Sequence, residues 1–327
     1  MENNRFLQER TSIISCMKIT PLLSCHIPAW AELLAICFAR QPQQMCQLLT
    51  FLQPEKQLLA WGAWHGEQLV AQYSIVHTSL CLPLQSVPIT VGLSVNMAVH
   101  PAYRGQGLVK QVSSPVYEAF AKRGGVAGIG FSNAAGVEVD KHSQGYGYRV
   151  VGQMKPTLAM ITHRFDDADL QLTTDWPKRP FAFCPEQETI HFKQSMQSIY
   201  QRFARHPFRT YHFGIWQSLR QIHGLVVYRY VKLRGLPGVA LLAAYANDLE
   251  LLLQRWVTAV SRQGIRLIHL LSTPNAHVLA ALRKTAVCLP APINRTPYYL
   301  TAKPLSPDTP QSIFNYELWD CTGGDIL

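Results

Sequence analysis

The chemistry in this chain is concentrated in one run, Asn96-Met97-Ala98-Val99-His100-Pro101-Ala102-Tyr103-Arg104-Gly105-Gln106-Gly107-Leu108-Val109. An apolar segment meets a proline, then a basic glycine-rich loop, then a helical pattern. Such a loop aims several backbone N–H groups of a helix N-terminus at one point, where the helix dipole also favours negative charge. Gly105 and Gly107 let the main chain approach a ligand with no side chain between. Arg104 and Lys110 add positive charge. A phosphate or pyrophosphate suits this cradle. The spacing is neither a dinucleotide fingerprint nor a P-loop, and glycine spacing alone is equally compatible with a plain tight turn.

The elements that must hold the loop lie on both sides of it. A strand is expected over 17–22 and a helix over 28–52, broken in two by Pro42. Apolar runs over 58–65 and 69–77 flank the Gly66-Glu67 turn and read as a hairpin. A strand over 89–99 leads into the loop, and a helix over 107–123 leaves it. A strand over 126–131, a helix over 133–143 and a strand over 150–162 follow. The order predicts an α/β fold, in the α+β sense of a mixed sheet flanked by helices.

The length of 327 residues suggests two domains. Asp166, Asp167 and Asp169 ahead of Trp176, Pro177 and Pro180 place the expected boundary between 1–165 and 166–327. The second half echoes the first. A helix is expected over 200–219, strands over 225–231 and 239–244, a helix over 249–263, a strand over 265–271, a helix over 275–284 and a final strand over 298–303. A diverged internal duplication is one reading, and a generic α/β domain is the other. The C-terminal run from Trp319 to Leu327 is acidic and reads as a flexible tail, with a reach back to the first domain's cleft as the alternative.

Net charge is +10 and the pI about 9.3, which favours an anionic partner: nucleic acid, a membrane surface or a small phosphorylated ligand. A merely solvated basic surface is the competing reading. With no basic–aromatic stripe and no zinc spacing, nucleic acid is not expected and no metal is expected. The eight cysteines form no CxxC pair and read as buried free thiols in a reducing compartment. Residues 1–17 carry charges without a sustained apolar run, and no stretch of about 18 apolar residues occurs. The expectation is a cytoplasmic protein with no membrane partner, as monomer or homodimer.

The run from strand through Val99-His100-Pro101, Tyr103-Arg104-Gly105-Gln106-Gly107-Leu108 and an amphipathic helix resembles the acetyl-CoA motif of the GNAT superfamily of N-acetyltransferases. Arg104 and Gly107 match its signature, whereas Val109 stands where Gly or Ala is usual. Gly128-Ile129-Gly130-Phe131-Ser132-Asn133 resembles the family's next strand, ending in the Asn that opens the following helix. Gly147-Tyr148 resembles its Gly-aromatic turn, so the likeness spans about 17–162.

The resemblance implies acetyl-CoA as co-substrate and a small-molecule amine, such as an amino sugar, as acceptor. Met97, Ala98 and Val99 would bond the pantetheine arm, and Arg104, Gly105, Gln106, Gly107, Leu108 and Val109 would hold the pyrophosphate. Asn133 would close the site. Relatives carry a proton-donating Tyr about seven residues after the Asn, but Asp140 occupies that position here. Tyr146, His142 and water are the alternatives for the acid. Asp140 and Glu138 are candidate bases, with His77 a second choice on the amine side. His65 and His100 read as packing or surface groups. Trp61, Trp64 and Tyr73 read as core, with one face available to an acceptor pocket. The second half has no equivalent loop, and the resemblance implies a degenerate GNAT-like domain without a cofactor motif. The competing function is an inactive acyl-CoA-binding sensor or scaffold.

Overall fold

The structure is a computed structural model. It describes residues 17–52, 57–142, 147–162, 165, 169–179, 181, 183, 188–219, 221–290 and 297–326. In chain order it opens with β1 (Lys18–Pro21), α1 (Ile27–Phe38), α2 (Pro42–Leu52), β2 (Leu58–His65), β3 (Gln68–Cys81) and β4 (Ile89–Val99). Next come α3 (Leu108–Ala121), β5 (Ala127–Asn133), α4 (Ala134–His142), β6 (Arg149–Gln153) and β7 (Lys155–Met160). The remainder holds β8 (Gln171–Thr173), β9 (His191–Phe192), α5 (Met196–Ile199), β10 (His212–Gln217), β11 (Ile222–Leu233) and β12 (Leu236–Ala246). It continues with α6 (Leu249–Arg262), β13 (Leu267–Ser272), α7 (His277–Thr285), β14 (Val287–Pro290) and β15 (Tyr298–Pro304).

Two mixed sheets flanked by helices result, as the pattern predicts. One runs β1-β2-β3-β4-β5-β15-β6 and the other β14-β7-β13-β12-β11-β10-β8. The helix expected over 28–52 is split with Pro42 as the first residue of α2, the position where a missing N–H costs nothing. Ala39, in left-handed conformation, closes α1. The hairpin β2–β3 turns at Gly66, whose φ is 60°.

The two compact units are discontinuous. The first takes the described residues up to Ser79, then Ile89–Val150 and Leu300–Pro310. The second takes Leu80–Pro88, Val151–Tyr299 and the described residues from Gln311 onward. The units therefore differ from the continuous division expected at 165/166. β7, expected as the continuation of β6, pairs antiparallel with β13 from Met160↔Leu267 to Lys155↔Ser272. β15, the last strand of the chain, sits between β5 and β6. Pro- and Asp-rich composition marks an exposed connection, but open strand edges decide which sheet a segment joins.

The helix expected over 200–219 is the clearest secondary-structure error. Only α5 and the π-turn Tyr200–Ala204 are helical, and β10 is a strand paired with β11. Pro207 stops helical propagation. Phe213 and Ile215 then bury at alternate positions among β-forming neighbours, a period of two rather than 3.6.

The first unit's core under α3 joins Val112, Val116 and Phe120 to Val70, Tyr73 and Ile75. Its polar centre is a hydroxyl chain. Tyr73 donates to Ser94 Oγ at 2.8 Å, lies 2.6 Å from the Tyr117 hydroxyl, and Tyr117 lies 2.5 Å from that of Tyr148. Tyr73 is thus a core residue. The second unit's core gathers Trp256, Val257, Val260, Ile268, Leu270, Leu279 and Leu282.

Candidate functional site

In the first unit β4 and β5 are parallel and registered from Val91↔Ala127 to Leu93↔Ile129. β4 then continues to Val99 and β5 to Asn133. Asn96, three residues from the end of β4, carries a positive φ of 52°, an unusual conformation for a residue with a side chain. The parted ends border a cavity of about 570 Å³. Met97, Ala98, Val99, Arg104, Gly105, Gln106, Gly107, Leu108, Val109 and Asn133 all line it. The structure therefore brings together the ten residues that the loop and its resemblance single out.

The local reasons are physical. Gly105 (φ 78°) and Gly107 (φ 70°) hold left-handed backbone, and a Cβ at either would meet nothing within 4 Å. Backbone conformation, not crowding, is what calls for glycine there. Gly107 is the N-cap of α3 with no side-chain cap, and the first helical bond runs from Gln111 N to Gly107 O at 3.4 Å. The earlier N–H groups have no intrahelical acceptor and point out of the helix start. Leu108, Val109, Val112, Val116 and Phe120 anchor the same helix in the core. Val109, in the place usually held by Gly or Ala, is buried in the core cluster under the helix while it also lines the cavity.

Arg104 Nε donates to the Val99 carbonyl at 3.2 Å, tying the loop to the end of β4. The Cys37 thiol donates to the same oxygen at 3.3 Å. Burial pushes the Cys37 thiol pKa up, and the charge and hydrogen bonds around it offset this only in part. Gln106 Oε1 is buried without a hydrogen-bond partner, an acceptor suited to a ligand donor. Asn133 Oδ1 accepts from Gly136 N at 2.9 Å, capping α4.

Sequence reasoning missed Cys37, Phe38, Tyr103, Ala135, Gly136 and Val139 in the cavity wall. Tyr103 lies inside the quoted run, and His65 Nδ1 fixes it with a 2.8 Å contact to its hydroxyl. Cys37 and Phe38 end α1 with no local signature. Asp140 and His142 fall on the last turn of α4, where side chains lie outside the described set, as Tyr146 does entirely. Glu138 is exposed.

His77 is corrected as a candidate base. Its ring packs 5.0 Å from that of Phe120, near the far end of α3 and roughly 18 Å along the helix from its N-terminus. Burial and the nearby Arg123 lower its pKa. Trp61 and Trp64 do not line the cavity.

The second unit repeats the strand geometry. β12 and β13 are parallel from Gly238↔Leu267 to Leu241↔Leu270, with α6 between them in sequence. Beyond that point the C-terminal run of the chain fills the space. Ser272 bridges antiparallel to Thr322, Thr273 N donates to Cys321 O at 2.9 Å, and Thr322 Oγ1 donates to Leu242 O at 2.5 Å. Trp319 and Cys321 are fully buried. The run expected to fray is thus a packed part of this unit. At α6, Asp248 accepts from Leu251 N at 2.9 Å, so a carboxylate already caps that helix.

Among described cysteines, only Cys321 is buried; Cys37, Cys46, Cys81 and Cys288 are half-buried and Cys25 is exposed. This corrects the expectation of buried thiols, while Cys16 and Cys184 lie outside the described residues. Among described residues, no helix is long and apolar enough to cross a membrane.

Residues 18–149 match the acetyltransferase (GNAT) domain family. No curated protein matches the chain at a significant level. Among solved structures, a GCN5-related N-acetyltransferase from Anabaena variabilis is similar at a TM-score of 0.65 and 12% identity, over 89% of this chain and 73% of that one. One from Kribbella flavida is similar at 0.59 and 12%, over 87% and 70%. A tandem GNAT protein from the clavulanic acid biosynthesis pathway is similar at 0.50 and 13%, over 89% and 99%. Residues 18–149 of this chain therefore match the GNAT acetyltransferase domain family, and the fold of the chain is similar to that of a tandem GNAT protein.

Proposed function

We propose that the protein moves an acetyl group from acetyl-CoA to a primary amine of a small molecule, such as an amino sugar, by direct attack of the amine on the thioester. The observation that carries this reading is the gap between β4 and β5, opening beside the uncapped start of α3. Acetyl-CoA supplies the activated acyl group. Backbone N–H groups of Gly107 to Lys110 and the exposed charge of Lys110 suit its pyrophosphate. Backbone groups of Met97 and Ala98 suit an extended arm laid along the strand. The Val99 carbonyl is already bonded to Arg104 and Cys37, so it holds the loop rather than the arm. A main-chain N–H at Ala98 or Val99 would stabilise charge developing on the acyl oxygen, a contribution of about 3 kcal/mol for one such donor.

Tyr146 and His142 are the proposed proton sources, with Asp140 as a base. The coenzyme thiol is a good leaving group near neutral pH, so protonation contributes modestly. Tyr146→Phe or His142→Ala should lower kcat by ~10²-fold at most, with KM for acetyl-CoA nearly constant. Full kcat in both variants across pH 6 to 9 would assign the proton to water.

The second unit, in this reading, takes no cofactor, because the chain's own C-terminal run fills the corresponding gap. Thiol release from acetyl-CoA in the presence of a panel of amines tests the activity. Tight acetyl-CoA binding with no amine-dependent thiol release would instead favour an inactive acyl-CoA sensor.

A further inference from the structure

The second unit encloses another cavity, of about 160 Å³, beside the C-terminal run. Its wall sets Phe183 and Tyr245 against His191, His277, Asp320 and Asp325. Asp320 Oδ2 lies 2.6 Å from His277 Nδ1. His191 Nε2 is buried with no hydrogen-bond partner. With the ring proton on Nδ1, that nitrogen is a bare acceptor. Burial lowers the His191 pKa, Asp320 and the Thr189 backbone raise it, and His277 lowers it.

Among the described residues, no Lys or Arg lines this cavity. Arg202 acts on the Asp325 carboxyl electrostatically, but is not part of the wall. Two carboxylates and an imidazole nitrogen thus offer acceptors, and an anion would meet like charge in a partly desolvated space. A group that only donates satisfies all three, and adjacent aromatic rings also favour a cation. The volume is close to that of an engineered cavity that holds benzene, about 150 Å³.

We propose that this cavity binds a small organic primary ammonium of about benzylamine size, held by Asp320, Asp325 and His191 against Phe183 and Tyr245. The site is independent of the acyl-donor site in the first unit. Burial pushes the Asp325 carboxyl up to about 6, so binding strengthens as pH rises through that value. Arg202, Asp320, Tyr245 and Cys321 are the charged or titratable groups that act on it, and His191 and His277 stand in the same wall beside Asp320.

The test is calorimetric titration of benzylammonium into the full chain at pH 5 and pH 8, with benzyl alcohol and benzoate as neutral and anionic probes of similar size. The expected result is one site that prefers benzylammonium over both by about tenfold or more and is several-fold weaker at pH 5. Asp320→Asn and His191→Phe should each weaken it by about tenfold, with thermal melts to verify folding. Gly107→Glu, in the first unit, should leave it unchanged. Absence of saturable binding up to ~10 mM benzylammonium would overturn the proposal. So would equal affinity for benzyl alcohol, or binding that survives both cavity substitutions and vanishes in Gly107→Glu.

Discussion

In the first unit, β4 and β5 are paired as far as Leu93↔Ile129 and then part; in the second, β12 and β13 are paired as far as Leu241↔Leu270 and then part. The first gap opens on a cavity lined by a glycine loop, with a helix start capped by no side chain. The second gap is bridged by Thr322 and neighbouring C-terminal residues, and its helix start is capped by Asp248. Gly324 approaches so closely that a Cβ would fall 2.5 Å from the Leu242 carbonyl. Similar strand geometry thus has two outcomes, set by what satisfies the backbone at the parting. One unit leaves backbone donors for a ligand, and in the other the C-terminal run takes up backbone groups at the parting.

The comparison breaks most visibly at Trp319, a fully buried indole whose Nε1 donates to Ile313 O at 3.0 Å. Trp319→Ala should cost about 3–5 kcal/mol of stability, read from urea or thermal unfolding. Unchanged stability would mean that the C-terminal run is not a packed part of the second unit. Next in size, Gly107→Glu should weaken acetyl-CoA binding by ~10²-fold or more, because it adds a carboxylate and left-handed strain at the helix start. Unchanged affinity in a calorimetric titration would remove this loop from the site.

Asp325 sharpens the comparison through pH. Its carboxyl is raised to about 6 from 3.8, chiefly by burial, so the folded chain holds that proton more tightly than the unfolded one. Stability is then lost as pH rises from about 4 through 6. Asp325→Asn should be more stable than the parent above pH 6 by about 1–2 kcal/mol, with the difference vanishing below pH 4. A difference that grows on acidification would contradict the assigned direction. The smallest effect is expected at Arg104, whose exposed guanidinium ties the loop to β4 through one hydrogen bond. Arg104→Ala should weaken acetyl-CoA several-fold, by about 1 kcal/mol, since the backbone supplies most of the cradle.

Much of this was legible where local rules and tertiary context agree. The left-handed glycines, the proline at the start of α2, and the buried periodic face of α3 each follow from short-range sequence. The division into units was not, because β7 and β15 join their sheets through edges far away in sequence. β10 lies in a stretch expected as helix, where Pro207 and alternate burial decide for a strand. The C-terminal run has the acidity of a tail, yet Trp319 and Cys321 make it core. At the candidate site, the loop was readable from its conformational demands. Cys37 and Phe38 were not, since only tertiary packing brings the end of α1 to the cavity.

The most direct measurement is hydrogen–deuterium exchange on the full chain with and without acetyl-CoA. The account predicts slowed exchange at the amides from Met97 to Lys110 and no change from Ala243 to Asn247 or from Trp319 to Asp325. Protection at β12 and the C-terminal run, with none at Met97 to Lys110, would contradict it.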